Sequence, residues 1–430
     1  HMKRSLICLA TTATWAAATT FAVAQDADRL SAVSEERARV IHQRVMTLDT
    51  HVDIPLNYAT HEMDPGRFTS AQVDLPKMRA GGLDAAFFIV YTPQGPLTNE
   101  GFSNAQDIAR QRIGAITRMV KAYPDDIGLA TSVREARRIA RSGRKVAFIG
   151  MENAYPLGPT GHQAEWWRDN GVRYVGITHF GHNQFGDSSN PNEAAGDEPE
   201  KHGGLSDEGR ALIKELNRLG VMVDVSHAGK KTMLQAAEMS AAPIIASHSG
   251  VKALGESPRN LDDEQLRALA RNGGVVQIVA LDVYVKPLNE AQQKFVDDLQ
   301  KELKLTTREA RSKANQTTLE EYRRRLDERW DIAPRASVAD FVDHIDHAVK
   351  VAGLDHVGIA SDFDGGGGIV GWEDASQTVN VTRELLRRGY TEAEIAKIWS
   401  GNLLRVLDAV EKAGKKIARA DRDKFVIEQE

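Results

Sequence analysis

The sequence predicts an α/β fold, a (β/α)8 barrel of the TIM type with a helical insertion between the seventh and eighth strands. Three observations predict it. Eight short β-type runs recur along the chain. Stretches of helical character separate most of them, which implies βα units and a parallel sheet. No G-x-G-x-x-G follows the first run, which argues against the doubly wound open sheet that is the alternative.

The runs, in order, are Val45–Asp53, Ala85–Tyr91, Lys145–Glu152, Tyr174–His179, Val221–Ser226, Ile244–Ser247, Gly274–Ile278 and His356–Ser361. A polar lead-in over Ala27–Gln43 reads as a helix. Asn104–Tyr123, Ser206–Leu219, Lys231–Met239 and Asp262–Arg271 read as helices between runs. Leu288–Trp330 breaks the rhythm. It is dense in Lys, Arg, Glu and Gln, with sparse apolar residues at helical spacing, and predicts two inserted helices. They are expected to be a solvated hairpin, with a dimer arm or active-site lid as the sharper reading. Thr391–Ala418 reads as one or two amphipathic helices, opened by the capping box Thr391-x-x-Glu394. The tail from Arg419 to Glu430 is expected to fray.

Residues 1–24 read as a signal peptide. Lys3 and Arg4 precede an apolar stretch that ends Ala22-Val23-Ala24, the small-x-small pattern cut by signal peptidase. Cleavage after Ala24 would leave residues 25–430 as one domain, exported to the periplasm or secreted. No second long apolar run follows, so no membrane span is expected in the mature chain. His1 stands before Met2 and reads as a cloning scar.

The 430 residues carry a formal charge of −5, so no overall basic field invites nucleic acid. The single cysteine, Cys8, lies in the leader. Disulfide frameworks and cysteine-rich zinc folds are therefore excluded from the mature chain.

Chemistry gathers where runs end. The first closes on Asp49-Thr50-His51-Val52-Asp53. Residues two apart in a strand share a face, so His51 and Asp53 point the same way. At the C-terminal end of a barrel strand they would face the mouth, where barrel enzymes hold their sites. His-x-Asp alone is weak, since about one chance match is expected in such a chain. His344-Ile-Asp346 is a second match, but on a helix, where the two side chains diverge. Company strengthens the first. The third run ends on Glu152. The fifth leads into His227 and the sixth into His248. Four strands ending in His, Asp or Glu suit a pair of divalent cations, zinc first among them, with Glu152 able to bridge.

His179 closes the fourth run as a ligand or as a donor to oxyanion charge. His182, three residues into the loop, reads as structural. Arg259 could clamp a carboxylate. Asp362 could move a proton or hold an ammonium. The four glycines after Asp364 lack the Lys-Ser/Thr of a P-loop and read as a flexible rim.

The set resembles the membrane dipeptidase (renal dipeptidase) family, zinc peptidases of the amidohydrolase superfamily. The resemblance runs from about Val45 to Leu407. It rests on Asp49-Thr50-His51-Val52-Asp53-Ile54-Pro55, Gly150-Met151-Glu152, Thr178-His179, Gly204-Leu205-Ser206, Asp224-Val225-Ser226-His227, Ser247-His248-Ser249, Pro258-Arg259-Asn260, Asp362-Phe363-Asp364-Gly365 and Asn402-Leu403-Leu404-Arg405-Val406. It implies hydrolysis of small dipeptides, L-L and in some members L-D, by two zinc ions (Zn2+) per chain. His51 and Asp53 would hold one ion and His227 and His248 the other, with Glu152 and a water or hydroxide bridging them. His179 would support the oxyanion. Arg259 would hold the terminal carboxylate. Asp362 would contact the amine and handle the proton. A homodimer is implied as well.

The chain departs from the family in two places. Asn153-Ala154 replaces the Gly-Gly that often follows the bridging Glu, and the 288–330 insertion is absent from shorter mammalian relatives. The competing reading is another binuclear hydrolase, acting on a lactone, cyclic amide or phosphoester. Such enzymes typically show His-x-His after the first strand and often a bridging Lys, neither of which is seen here.

Overall fold

The computed structural model describes residues 35–427. The leader expected over 1–24 and the first part of the expected lead-in helix lie outside the described residues. The rest of that lead-in is helical over 35–44.

Eight parallel strands form the barrel: β1 (Leu48–Val52), β2 (Ala85–Tyr91), β4 (Lys145–Glu152), β5 (Val172–Gly176), β6 (Met222–Asp224), β7 (Ile245–Ser249), β8 (Val275–Val279) and β9 (Val357–Ala360). They pair in that order. A ninth strand absent from the sequence expectation, β3 (Ile127–Leu129), pairs with β4 alone. It is only three residues long, too short for a periodicity to register.

The ring closes between its two ends at the mouth. Val52 bridges Phe363 in parallel, Asp362 N donates to His51 O at 3.1 Å, and Asp53 N donates to Phe363 O at 2.9 Å. Thr50 Oγ1 reaches across to Ser247 O (2.9 Å) and Ile359 O (3.0 Å). Closure removes the exposed sheet edge that an open sheet would leave.

Strand alternation builds two apolar layers. Leu48, Phe87, Phe148, Tyr174, Met222, Ile245 and Val275 form one cluster, together with Leu403, Val406, Leu407 and Val410 of the C-terminal helix. The alternate residues Phe88, Val90, Ile149, Val223 and Val276 belong to the larger cluster shared with the surrounding helices. Asn402 ties the C-terminal helix to the start of β9, donating to Leu354 O (2.7 Å) and Val357 O (2.8 Å).

Helices fall close to the expected positions: Asn99–Ala122, Asp207–Leu219, Lys230–Met239 and Asp263–Asn272. The capping box at Thr391 and Glu394 forms as read. The insertion lies between β8 and β9, but it is four helical pieces rather than two: Glu290–Glu302, Arg308–Lys313, Gln316–Leu326 and Arg329–Ile332. Asn289, Thr307 and Asn315 each cap a new start, which divides the run. The tail expected to fray from Arg419 is helical as far as Ile427, the last described residue, in the helix Asn402–Ile427. No helix among the described residues is long and apolar enough to cross a membrane.

Candidate metal centre and active site

Strand ends deliver the site. His51 lies within β1 and Asp53 one residue past it, with His51 Nε2 3.4 Å from Asp53 Oδ2. Glu152 is the last residue of β4. His248 lies in β7, and His227 follows β6 by three residues. These residues line or adjoin a cavity of about 550 Å³ at the barrel mouth.

Glu152 divides the cluster. Its Oε1 lies 3.0 Å from His227 Nε2 and 3.2 Å from His248 Nε2. Its Oε2 faces His51 Nε2 at 3.7 Å. His227 Nε2 and His248 Nε2 are themselves 3.0 Å apart. Burial, reinforced by Arg259 and the neighbouring histidines, holds both imidazoles well below the usual range, so both are neutral. Two neutral nitrogens and a carboxylate oxygen at that spacing suit a cation. His51 Nε2 is buried with no hydrogen-bond partner, a second donor atom that a metal would satisfy. Burial would lower His51, but Glu152, Asp53 and Asp362 outweigh it and push its pKa up to about 10. Burial raises the Glu152 and Asp362 carboxyls.

Three overlapping triads could each hold an ion: His51 with Asp53 and Glu152, Glu152 with His179 and His227, and His51 with His248 and Asp362. The first matches the sequence grouping. The second brings His179 to a group that was expected to contain His248, with His179 Nε2 3.9 Å from Glu152 Oε1. His179 also packs on Tyr91, Phe180 and His227.

Supporting groups to which the sequence reading gave no role orient these side chains. Tyr174 OH donates to Thr50 O (3.1 Å) and therefore accepts from His51 Nδ1 (3.0 Å), leaving Nε2 to face the cluster. Ser247 Oγ donates to Asp224 Oδ2 (2.8 Å) and meets His248 Nδ1 (2.8 Å). Asp49 Oδ1 accepts from His51 N and Ser361 N, fastening β1 to β9. Such partners fix ring orientation around metals. Asp49, Asp224 and Ser247 stand inside the quoted motifs, whereas Tyr174 carried no signal beyond its place in a strand.

Asp362 follows β9 by two residues, with Oδ1 3.9 Å from His51 Nε2. Arg259 is buried beside the cavity rather than lining it. Its Nη2 donates to His248 O (2.9 Å), its guanidinium lies 5.5 Å over the ring of Tyr284, and its Nε has no partner. His182 is structural, as read: Nδ1 accepts from Ser188 N (2.9 Å) and Nε2 meets Glu198 O (2.8 Å). His344 and Asp346 diverge as expected. His344 holds Val251 N and Val285 O, and Asp346 pairs with Arg388.

Backbone conformation concentrates here. Asn153, His227, Asp362 and Asp364 all have φ between 59° and 74°. Asn153 explains the departure from Gly-Gly, because Asn tolerates the left-handed region better than most side chains. The glycine run is not merely a loose rim. A Cβ on Gly365 would fall 2.2 Å from Asp53 Oδ2 and 2.3 Å from Asp362 Oδ1, so only glycine lets the two carboxylates come together over it.

Neutral imidazoles and carboxylates converging at the mouth of a parallel barrel define a metal-dependent hydrolase site. Residues 35–421 match the membrane dipeptidase family, peptidase family M19. The dipeptidase aclJ of Aspergillus oryzae is 32% identical over 353 residues, 81% of this chain and 72% of that protein. The dipeptidase tcpJ of Claviceps purpurea is 31% identical over 353 residues, 81% and 71% of the two chains. Among solved structures, the probable dipeptidase PvdM from Pseudomonas aeruginosa superposes with a TM-score of 0.81 at 35% identity, over 88% of this chain and 99% of that one. The dipeptidase AC, a metallopeptidase, gives 0.64 at 25% identity, over 85% and 98%. The chain belongs to the membrane dipeptidase family. It is a metallo-dipeptidase, a metal-dependent peptide hydrolase.

Proposed function

We propose that the chain hydrolyses L-L and L-D dipeptides at a binuclear zinc site, with His51 and Asp53 on one ion, His227 and His248 on the other, and Glu152 between them. The observation that carries this is the split of Glu152: Oε1 toward His227 and His248, Oε2 toward His51. Zinc suits the mixture of imidazole and carboxylate donors. When bound, the ions would polarise the scissile carbonyl and activate a water as nucleophile.

The chain's own residues do the rest. Arg259, buried beside the cavity with its Nε–H unpartnered, would hold the carboxylate end of the dipeptide. Asp362 faces the other end and receives the free amine. As water oxygen bonds to the carbonyl carbon, His179 stabilises the charge that develops on the carbonyl oxygen. Asp362 accepts the proton shed by the water and passes it to the leaving nitrogen as the C–N bond breaks. Burial, which raises the Asp362 carboxyl, suits it to both halves of that transfer. A carboxylate anchor at one side and an amine anchor at the other measure a dipeptide's length, and a third residue would displace one charge.

The leader over 1–24 supports export, and the family resemblance supports a homodimer. Amino-acid release should be measured from L-L and L-D dipeptides and matched tripeptides, with metal-replete enzyme and a chelated control. Chelator-sensitive release from dipeptides and not tripeptides is the expected result. No release from protein shown to carry two zinc ions would refute the reading and turn attention to lactones and phosphoesters.

A further inference from the structure

The two-ended clamp leaves one cation in the cavity unused. Arg112, on the helix Asn99–Ala122, lines the cavity directly, whereas Arg259 does not. Its Nη1 donates to the carbonyl of Ile54, its guanidinium lies 5.6 Å over the Tyr91 ring, and its Nε is buried without a hydrogen-bond partner. Arg112 forms no ion pair among the described residues, although Asp53 and Glu152 are near enough to act on it through space. Most other arginines next to a carboxylate here pair with it, as Arg335 does with Asp282 and Arg388 with Asp346.

Topology says which part of a substrate it would meet. Asp362, the amine anchor, follows β9, and β9 closes on β1 at Phe363 and Val52. Ile54 and Tyr91, the two residues Arg112 touches, sit at the ends of β1 and β2. Arg259 and Tyr284 lie beyond β7 and β8, on the other side of the mouth. A dipeptide with its amine at Asp362 and its carboxylate toward Arg259 therefore places its first side chain over the β9–β1–β2 rim. Ile54, Pro55 and Met63 give that rim apolar walls, and Arg112 supplies its charge.

We propose that Arg112 is a specificity-determining residue that receives an anionic side chain on the amino-terminal residue, so that the preferred substrates are dipeptides beginning with aspartate or glutamate. This rests on the dipeptidase reading above and names the substrate class of the same site. A carboxylate pairs with a guanidinium through two parallel N–H···O bonds. The neutral amide of glutamine offers one acceptor and no charge.

The test takes kcat and KM separately for Glu-Gly, Gln-Gly, Leu-Gly and Lys-Gly with metal-replete wild type, Arg112→Met and Arg112→Glu. Calorimetric binding of non-hydrolysable phosphinate mimics of Glu-Gly and Gln-Gly runs beside it. Wild type should show a KM for Glu-Gly roughly tenfold or more below that for Gln-Gly, as expected for a charged hydrogen-bond pair. Arg112→Met should erase the difference while leaving Leu-Gly within about threefold, and Arg112→Glu should favour Lys-Gly. Binding of the two mimics should follow the same order. Equal KM and equal mimic affinity for Glu and Gln in wild type would overturn the proposal. So would an equal rise in KM for every substrate in Arg112→Met, which would assign Arg112 to the common carboxylate. A uniform fall in kcat with loss of metal would make it a positioning residue for Ile54 and Asp53. Should no dipeptide be cleaved, the dipeptidase reading fails, and the mimics still decide whether Arg112 selects an acidic group.

Discussion

Removing one oxygen atom should loosen the metal centre without touching a ligand. Tyr174 is fully buried, and its hydroxyl stands between Thr50 O at 3.1 Å and His51 Nδ1 at 3.0 Å. In Tyr174→Phe the ring keeps its packing on Phe87, 5.1 Å away between centroids, so the perturbation is confined to the hydroxyl. His51 Nδ1–H then has no acceptor, and leaving one such buried donor unpaired costs about 1–3 kcal/mol. The imidazole also loses the bond that aims Nε2 at the cluster. Losing such an orienting partner typically weakens metal affinity by about 10–100-fold. Two assays separate the effects. Competition against a chromophoric chelator reads metal affinity, and urea unfolding of the metal-free protein reads stability. Affinity within about twofold of wild type would refute the reasoning, whatever happened to stability.

The remaining predictions concern protons. Asp362→Asn should cut kcat by about 10²–10⁴ with metal content near normal, by elemental analysis, since the amide cannot take the proton; retained turnover would remove the role. His51 in the metal-free site holds its proton up to about pH 10, and a bound metal must displace it. Metal affinity should therefore rise with pH below that value, by about tenfold per unit for one proton. Calorimetric titrations in buffers of different ionisation enthalpy should show the release, and its absence would argue against His51 as a ligand. His344 is neutral when folded, because burial lowers its pKa while Nδ1 accepts from Val251 N. The unfolded chain binds the extra proton, so stability is full above about pH 6.5 and falls as pH drops, by up to about 1.4 kcal/mol per unit. Urea unfolding at pH 7.5 and 5.5 should show a smaller drop in His344→Gln than in wild type.

The parts legible in the sequence are those where one residue carries its own signal. Apolar runs ending in His51, Glu152, His227 and His248 announced both strand and chemistry, since a polar group at the end of a buried run has few structural uses. Groups whose meaning lies in a distant partner were silent. Tyr174 and Phe148 both read as strand aromatics, and only the closed ring puts the Tyr174 hydroxyl against His51, 123 positions away. Arg112 looked like any charge on a helix. Its neighbour Arg110 stacks instead on Trp166, 4.2 Å from the ring centroid, and nothing local tells the two apart. Gly365 was misread for a related reason: its smallness answers to Asp53, just past the first strand of the barrel.

The left-handed backbone at His227 and Asp362 has a consequence for how this enzyme can change. An ordinary side chain in that conformation costs about 1–2 kcal/mol that glycine would not. Any screen that rewards heat resistance alone will therefore find glycine attractive at two positions whose side chains the proposed mechanism uses. Laboratory selection of a hardier form should pair thermal challenge with turnover. Without that pairing, the most accessible gains in stability would come from deleting side chains that the proposed mechanism needs.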